Sequence, residues 1–268
     1  MAAGAGALGV ALADGASALV TCRAAAPLQL LVPRPRGAAV WACAASLGGG
    51  LVAGDRLALS AEVEAGATLL LGTQAVTKVY RSGSGAAARQ ALDASAGAGA
   101  LLASVPDPVC CFEGARFEQR QVFRLSDGAS LLAFDGLAAG RVARGERWAF
   151  SSCESRLEVW RDGRLVVSDA LLLGDLPGLP LAARMGALDH LLLAVAIGPR
   201  AAGAARVLLA AAGQARPEQG VLASAGEVPG GVVARFGAPD RGPLTAILAG
   251  ALAPLAPALG GDPLERKW

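Results

Sequence analysis

The sequence predicts a mainly β protein built from stacked β-hairpin units, and three observations carry that expectation. Residues 57 to 64, "LALSAEVE", alternate apolar and polar with a period of two, as a strand with one buried face does. The element G-A-x-L recurs from Gly66, Gly99 and Gly128, at steps of 33 and 29 residues. A period near thirty residues is that of one supersecondary unit stacked on the next. Asp162-Gly163, inside "RLEVWRDGRLVV", lies between two β-rich runs and fits a type I′ hairpin turn, where both turn residues need positive φ.

Taken in order, the other segments fill out this plan. The opening "MAAGAGALGVALADG" is weakly apolar, has no basic stretch and reaches Asp14 early, so no signal peptide is expected. The glycine-rich "LGGGLVAGD" (Leu47 to Asp55) leads into a strand and not a helix. It reads as a bend where two backbones approach closely, without the helix N-terminus that a phosphate cradle needs. After residue 64, "EAGA" turns the chain and "TLLLG" reads as a strand buried on both faces. "RFEQRQVFRL" (Arg116 to Leu125) is a further strand, with charges along much of its length. From about residue 180 the texture changes. "AARVLLAAAG" and "PLTAILAGALAPL" have helical composition, with Pro243 well placed near a helix start, and "GQARPEQGVLASAGEVPGG" between them is a loop followed by a weak strand. The expectation is a single domain over 1–268. Its β-rich body covers about 1–175, and a mixed α/β tail over about 176–268 carries about two α-helices.

Composition narrows the function. Hydrophobic residues make up 54% of the 268 but aromatics only 4%, so the core must be built from many small aliphatic contacts. With 17% charged residues and a net charge of +2, no basic field suited to nucleic acid exists. A surface this poor in charge suits a protein that depends on a partner. The five cysteines (Cys22, Cys43, Cys110, Cys111, Cys153) form no CxxC and fit reduced thiols in a cytosol. "PLTAILAGALAPLAPALGG" is uncharged, but Pro254 and Pro257 break it, so no membrane span is expected.

Catalysis finds little support. The single histidine, His190, sits beside "LLLAVAI" and reads as a core or helix-edge residue. There is no G-x-S-x-G elbow, Walker loop or H-E-x-x-H. Cys110 and Cys111 are adjacent, a spacing that chelates one ion only with strain, and they read as small buried hydrophobes. The chain is therefore expected not to be an enzyme, the competing reading being a hydrolase that uses His190 with a nearby thiol or hydroxyl.

Four polar residues stand at the edges of apolar runs: Asp55 after the glycine bend, Thr77 within "TQAVTKVYRS", Asp135 ending "LLAFD" and Asp169 ending "LVVSD". Aspartates at strand ends commonly satisfy loop amides in Asx-turns. The alternative is a set of acidic groups facing a wet interior passage, because an ionised carboxylate beside buried strands is costly unless water, a partner charge or a cation compensates it. In "GRVARGE", Arg141 and Glu146 are spaced for an arginine–carboxylate pair.

In order and spacing, "GGLVAGDRL", "TQAVTKVYRS", "VPDP", "LLAFDGLAAGRVARGE" and "RLEVWRDGRLVVSD" resemble the urease accessory protein UreD family, called UreH in some bacteria. The resemblance is strong over residues 46 to 175 and weak in the C-terminal third. Leu47 stands where the family usually has proline, and Asp169 where glutamate is common. The resemblance implies a β-helical, solenoid-like fold with two helices. It implies a non-catalytic cytoplasmic protein that binds urease apoprotein on one side and UreF on the other, UreF recruiting the GTPase UreG, with neither nucleic acid nor membrane as partner. It further implies a water-filled tunnel for nickel, with Asp55, Thr77, Asp135 and Asp169 as tunnel candidates. The ion would pass in transit and not reside as a tightly bound cofactor. Weak holding suits transfer: imidazole and thiolate clusters grip late divalent metals, whereas isolated carboxylates and water hold them loosely. Thr73, Gln74, Lys78, Tyr80 and Arg81 would then fix the strand around Thr77 or contact a partner. A β-rich binding or structural module with no metal-transfer role is the alternative.

Overall fold

The computed structural model describes residues 2–34 and 37–265. In chain order the first half holds β1 (Ala5–Ala13), β2 (Ala16–Ala24), β3 (Leu28–Leu31), β4 (Val40–Ser46), β5 (Arg56–Val63), β6 (Thr68–Thr73), β7 (Thr77–Val79), β8 (Ala88–Ala96), β9 (Leu101–Val105), β10 (Val109–Cys111), β11 (Arg116–Leu125) and β12 (Ser130–Ala138). There follow β13 (Ser152–Arg161), β14 (Arg164–Leu173), α1 (Leu181–Met185), β15 (His190–Ile197), α2 (Ala202–Gln214), β16 (Leu222–Val228), β17 (Gly231–Ala238), α3 (Arg241–Leu252) and α4 (Ala256–Leu259). The fold is mainly β and solenoid-like, as the sequence and the resemblance led us to expect.

Each G-A-x-L element is the corner of one coil. The glycine is the third residue of a β-turn that carries the chain from one sheet to the other, and φ is +72°, +68° and +70° at Gly66, Gly99 and Gly128. The turns close through the amides of Ala67, Ala100 and Ala129, which donate to the carbonyls of Glu64, Gly97 and Ser126. Each alanine is buried, and the leucine two residues on (Leu69, Leu102, Leu131) is fully buried between the sheets. Successive turns also bond to one another: Leu101 N donates to Ala67 O, and Ser130 N to Ala100 O. Because the turn crosses between sheets, the thirty-residue repeat stacks in parallel. β5, β8, β11 and β13 pair in parallel in one sheet, and β4, β6, β9 and β12 in the other.

The Asp162-Gly163 hairpin forms as expected, with positive φ at both residues, and it ends the coiling: β14 folds back antiparallel on β13. At the opposite edge Asp14-Gly15 makes the same turn between β1 and β2. The first sheet therefore runs β14-β13-β11-β8-β5-β1-β2, closed at both ends by Asp-Gly hairpins. The second runs β16-β17-β15-β12-β9-β6-β4-β3, so the tail's β15 extends the sheet of the body through β12.

Two cores result. One lies between the sheets; the other lies between the second sheet and α2, α3 and α4, with Leu70, Leu132, Phe134, Leu208 and Leu252 among its members. Arg200 ties the layers together: its amide donates to Ser130 Oγ at 2.9 Å and its Nη2 to Thr68 Oγ1 at 2.9 Å. Asp240 caps α3 by accepting from Gly242 N at 2.9 Å, two residues ahead of Leu244. The run Arg241–Leu259 is long and apolar enough by composition to cross a membrane, with a mean hydropathy of 1.6. Here a 3₁₀ turn at Ala253–Leu255 divides it, and it buries Leu244, Leu252, Leu255 and Leu259. Trp41 Nε1 donates to the Leu259 carbonyl at 2.7 Å, fixing the end of α4.

Candidate functional site

The interior between the sheets is apolar except along one band. On β11 the period of two puts Phe117, Gln119, Gln121 and Phe123 on the inward face, all buried. Asp135 on β12 faces Gln119 across the gap, and Ser155 lies beside Gln119 in the parallel β11–β13 register. Gln119 Nε2 donates to Asp135 Oδ1 at 2.9 Å and to Ser155 Oγ at 3.1 Å, and Ser155 Oγ donates to Asp135 Oδ2 at 2.6 Å. The three side chains form a closed polar ring that bridges the sheets.

Two cavities meet at this ring. The first, about 220 Å³, is lined by Thr73, Gln74, Thr77, Lys78, Ser104, Asp107, Gln119, Gln121 and Asp135 among others, and reaches the surface at the exposed Gln74 and Lys78. The second, about 310 Å³, is lined by Gln119, Asp135, Ser155, Asp169 and Arg235, and reaches the surface at Ala170 and Arg235. Val109, Gln119 and Asp135 line both. Asp135 is hemmed in by protein yet keeps accessible surface, because that surface opens into the cavities. Burial pushes its carboxyl above the ordinary 3.8; hydrogen bonds from Ser155 and Gln119 oppose the rise, and the charge of Asp169 adds to it.

The other carboxylates in this interior have guanidinium partners. Asp169 Oδ2 accepts from Arg235 Nη2. Asp107 Oδ1 lies 3.7 Å from Arg241 Nη2, while its Oδ2 accepts from Thr73 Oγ1 at 3.1 Å. Asp135 is held by the neutral donors of its ring.

The structure places Thr77 on the first cavity, Asp169 on the second and Asp135 on both, and leaves Asp55 out of them. Asp55 Oδ2 accepts from Val52 N at 2.8 Å, three residues back in the turn before β5, so its carboxylate satisfies a loop amide, although not as an Asx-turn. The residues around Thr77 divide. Thr73 is buried on Asp107, Tyr80 meets Phe112 edge to face at 5.3 Å, Arg81 lies over Gly114, and Gln74, Lys78 and Arg81 are exposed. The glycine bend does approach another backbone: a Cβ on Gly50 would stand 2.8 Å from Lys78 O. Arg141 and Glu146 pair, with Arg141 Nε 2.9 Å from Glu146 Oε2 and its guanidinium 4.2 Å from the Phe112 ring centre. His190 begins β15, half-buried, and burial draws its pKa down. The Cys153 thiol hydrogen-bonds that of Cys111 and, with burial, pushes the Cys111 pKa well up. Among the described residues no group of three His, Cys, Asp or Glu side chains is placed to hold a metal ion. The sequence reading missed Gln119, Gln121, Ser155, Asp107 and Arg235.

These features define a two-sheet β-solenoid with an apolar interior crossed by one carboxylate-bearing polar band, beside which a cavity opens on each flank. The chain belongs to the UreD urease accessory protein family, whose model matches residues 2–268 and so takes in both the N-terminal strands and the helical tail. A urease accessory protein UreD from Anaeromyxobacter sp. (strain Fw109-5) is 51% identical over 98% of this chain and 89% of its own length. One from Sorangium cellulosum (strain So ce56) is 47% identical over 99% and 85%. A urease accessory protein D of Oryza sativa subsp. indica is 34% identical over 74% and 66%.

Proposed function

We propose that this protein is a cytoplasmic, non-catalytic scaffold in urease maturation. It binds urease apoprotein and UreF, UreG joining through UreF, and offers nickel a passage between its two sheets. The observation that carries the reading is the pair of abutting cavities whose polar groups meet at Gln119 and Asp135, with Thr77 on one side and Asp169 on the other. The donor set supports it as well: spaced carboxylates, hydroxyls and amides give a hydrated divalent ion stepping points too weak to trap it. Nickel is cargo here, and no resident cofactor is required.

The test is co-expression with urease apoprotein, UreF and UreG, followed by nickel analysis of the purified urease. Asp135→Ala is expected to keep the complex with UreF and to lower nickel per urease about tenfold, the scale of one lost charged contact. Asp55→Ala removes only a turn acceptor and is expected to leave nickel content unchanged. Equal nickel content in wild type and Asp135→Ala would refute the passage.

A further inference from the structure

We infer that Gln119 is the gate of this passage, a residue that closes it as a hydrogen-bond donor and opens it by turning its amide oxygen to the passing cation. The inference rests on the passage reading proposed above and adds the device that controls it. Gln119 is 7% exposed and lines both cavities, so its side chain stands in the partition between them. Gln119 Nε2 lies 2.9 Å from Asp135 Oδ1, so the amide presents its NH₂ to the carboxyl group. Ser155 gives its single hydroxyl proton to Asp135 and accepts from Gln119, and every direction in the ring is thereby assigned without conflict.

In that state each Asp135 oxygen accepts one hydrogen bond, and the group that Gln119 presents in the partition is an NH₂. A divalent ion needs oxygen. In crossing the partition it displaces Gln119 from Asp135, and a half-turn about the broad terminal torsion of glutamine replaces Nε2 by Oε1. The same side chain then becomes a neutral oxygen ligand beside the carboxylate, and it returns to the donor position once the ion has moved on. No bond is made or broken beyond coordination and hydrogen bonds.

A second, independent feature places water or an oxygen ligand on the first side of the gate. Gln121, two residues along the same face, is 5% exposed and lines the first cavity, and its Nε2 has no hydrogen-bond partner. A buried amide donor costs about 1–3 kcal/mol when unsatisfied, so this position calls for an acceptor from the cavity, such as an ordered water.

Two substitutions at Gln119 separate gating from packing. Gln119→Leu keeps the partition filled but has no oxygen to turn, whereas Gln119→Ala removes the partition. With urease apoprotein, UreF and UreG co-expressed, Gln119→Leu is expected to lower nickel per urease about tenfold. Gln119→Ala, which opens the partition, is expected to load more nickel than Gln119→Leu. Both are compared as complexes co-purified with UreF and checked by thermal unfolding, with Gln119→Val in place of Gln119→Leu if the latter does not fold. Should the two variants move together, both unchanged or both lowered, the gate is overturned. Asp135→Ala in the same series tells the two failures apart: if it lowers nickel while the Gln119 pair moves together, the gate alone falls, and if it leaves nickel unchanged, the passage falls and the gate with it.

Discussion

Two effects oppose each other at Asp135: burial favours the neutral acid, and donors from Ser155 and Gln119 favour the carboxylate, with burial the stronger. Because the folded-state pKa lies above the unfolded 3.8, the native protein binds this proton more tightly than the unfolded chain. The contribution of Asp135 to stability is thus greatest below 3.8 and declines as pH rises through the raised value. Asp135→Asn removes the titration, so its stability relative to wild type is expected to increase as pH is raised from 3.5 to 7, followed by urea unfolding at each pH. A difference that is flat or falls with pH would mean that burial does not govern this group. The same residue shows what sequence could tell. Asp135 and Asp169 were recognisable as carboxylates ending apolar runs, but so was Asp55, and a strand-end aspartate facing a cavity is written no differently from one closing a turn. Gln119 and Gln121 were hidden because "RFEQRQVFRL" reads as a charged strand. Their parity with Phe117 and Phe123 was the available signal that they point inward.

The glycine corners decide whether the coil forms at all. A Cβ at Gly99 would meet no atom within 4 Å, so replacing it tests backbone conformation alone. With φ at +68°, Gly99→Ala is expected to destabilise by about 1–2 kcal/mol, and Gly99→Asn by less, because asparagine enters the left-handed region more readily. Denaturant midpoints at unchanged m-value would measure both; equal losses would show that positive φ is not what the position demands. The repeat of these corners was legible as G-A-x-L, since turn glycine, buried alanine and core leucine leave a fixed spacing. The parallel stacking of the coils was not, because the period fixes the unit and leaves the direction of pairing open. Asp14-Gly15 carries the same turn signature as Asp162-Gly163, yet its weakly apolar flanks, "ALA" and "ASA", gave no alternation to mark a hairpin.

At the scale of the whole molecule, texture divided the chain near residue 175, but hydrogen bonds do not follow the division. β15 pairs with β12 along its length, and α2 and α3 cover the outer face of the sheet that β6, β9 and β12 build. Ending the chain at residue 175 would leave β12 as a bare edge and uncover Leu70, Leu101, Leu132 and Phe134, all now 0–1% exposed. At roughly 1.5–3 kcal/mol per large apolar side chain, that loss is about 6–12 kcal/mol, comparable to the roughly 5–15 kcal/mol that holds a whole domain folded. An unpaired apolar edge also templates strand addition from other copies. Residues 1–175 expressed alone are therefore expected to aggregate, whereas the full chain carries its own cover; size-exclusion chromatography and far-UV circular dichroism compare the two. A soluble monomeric 1–175 with the strand signal of the full chain would mean that the coils are self-sufficient. The tail would then be an attachment to the solenoid and not the third layer that lets it fold.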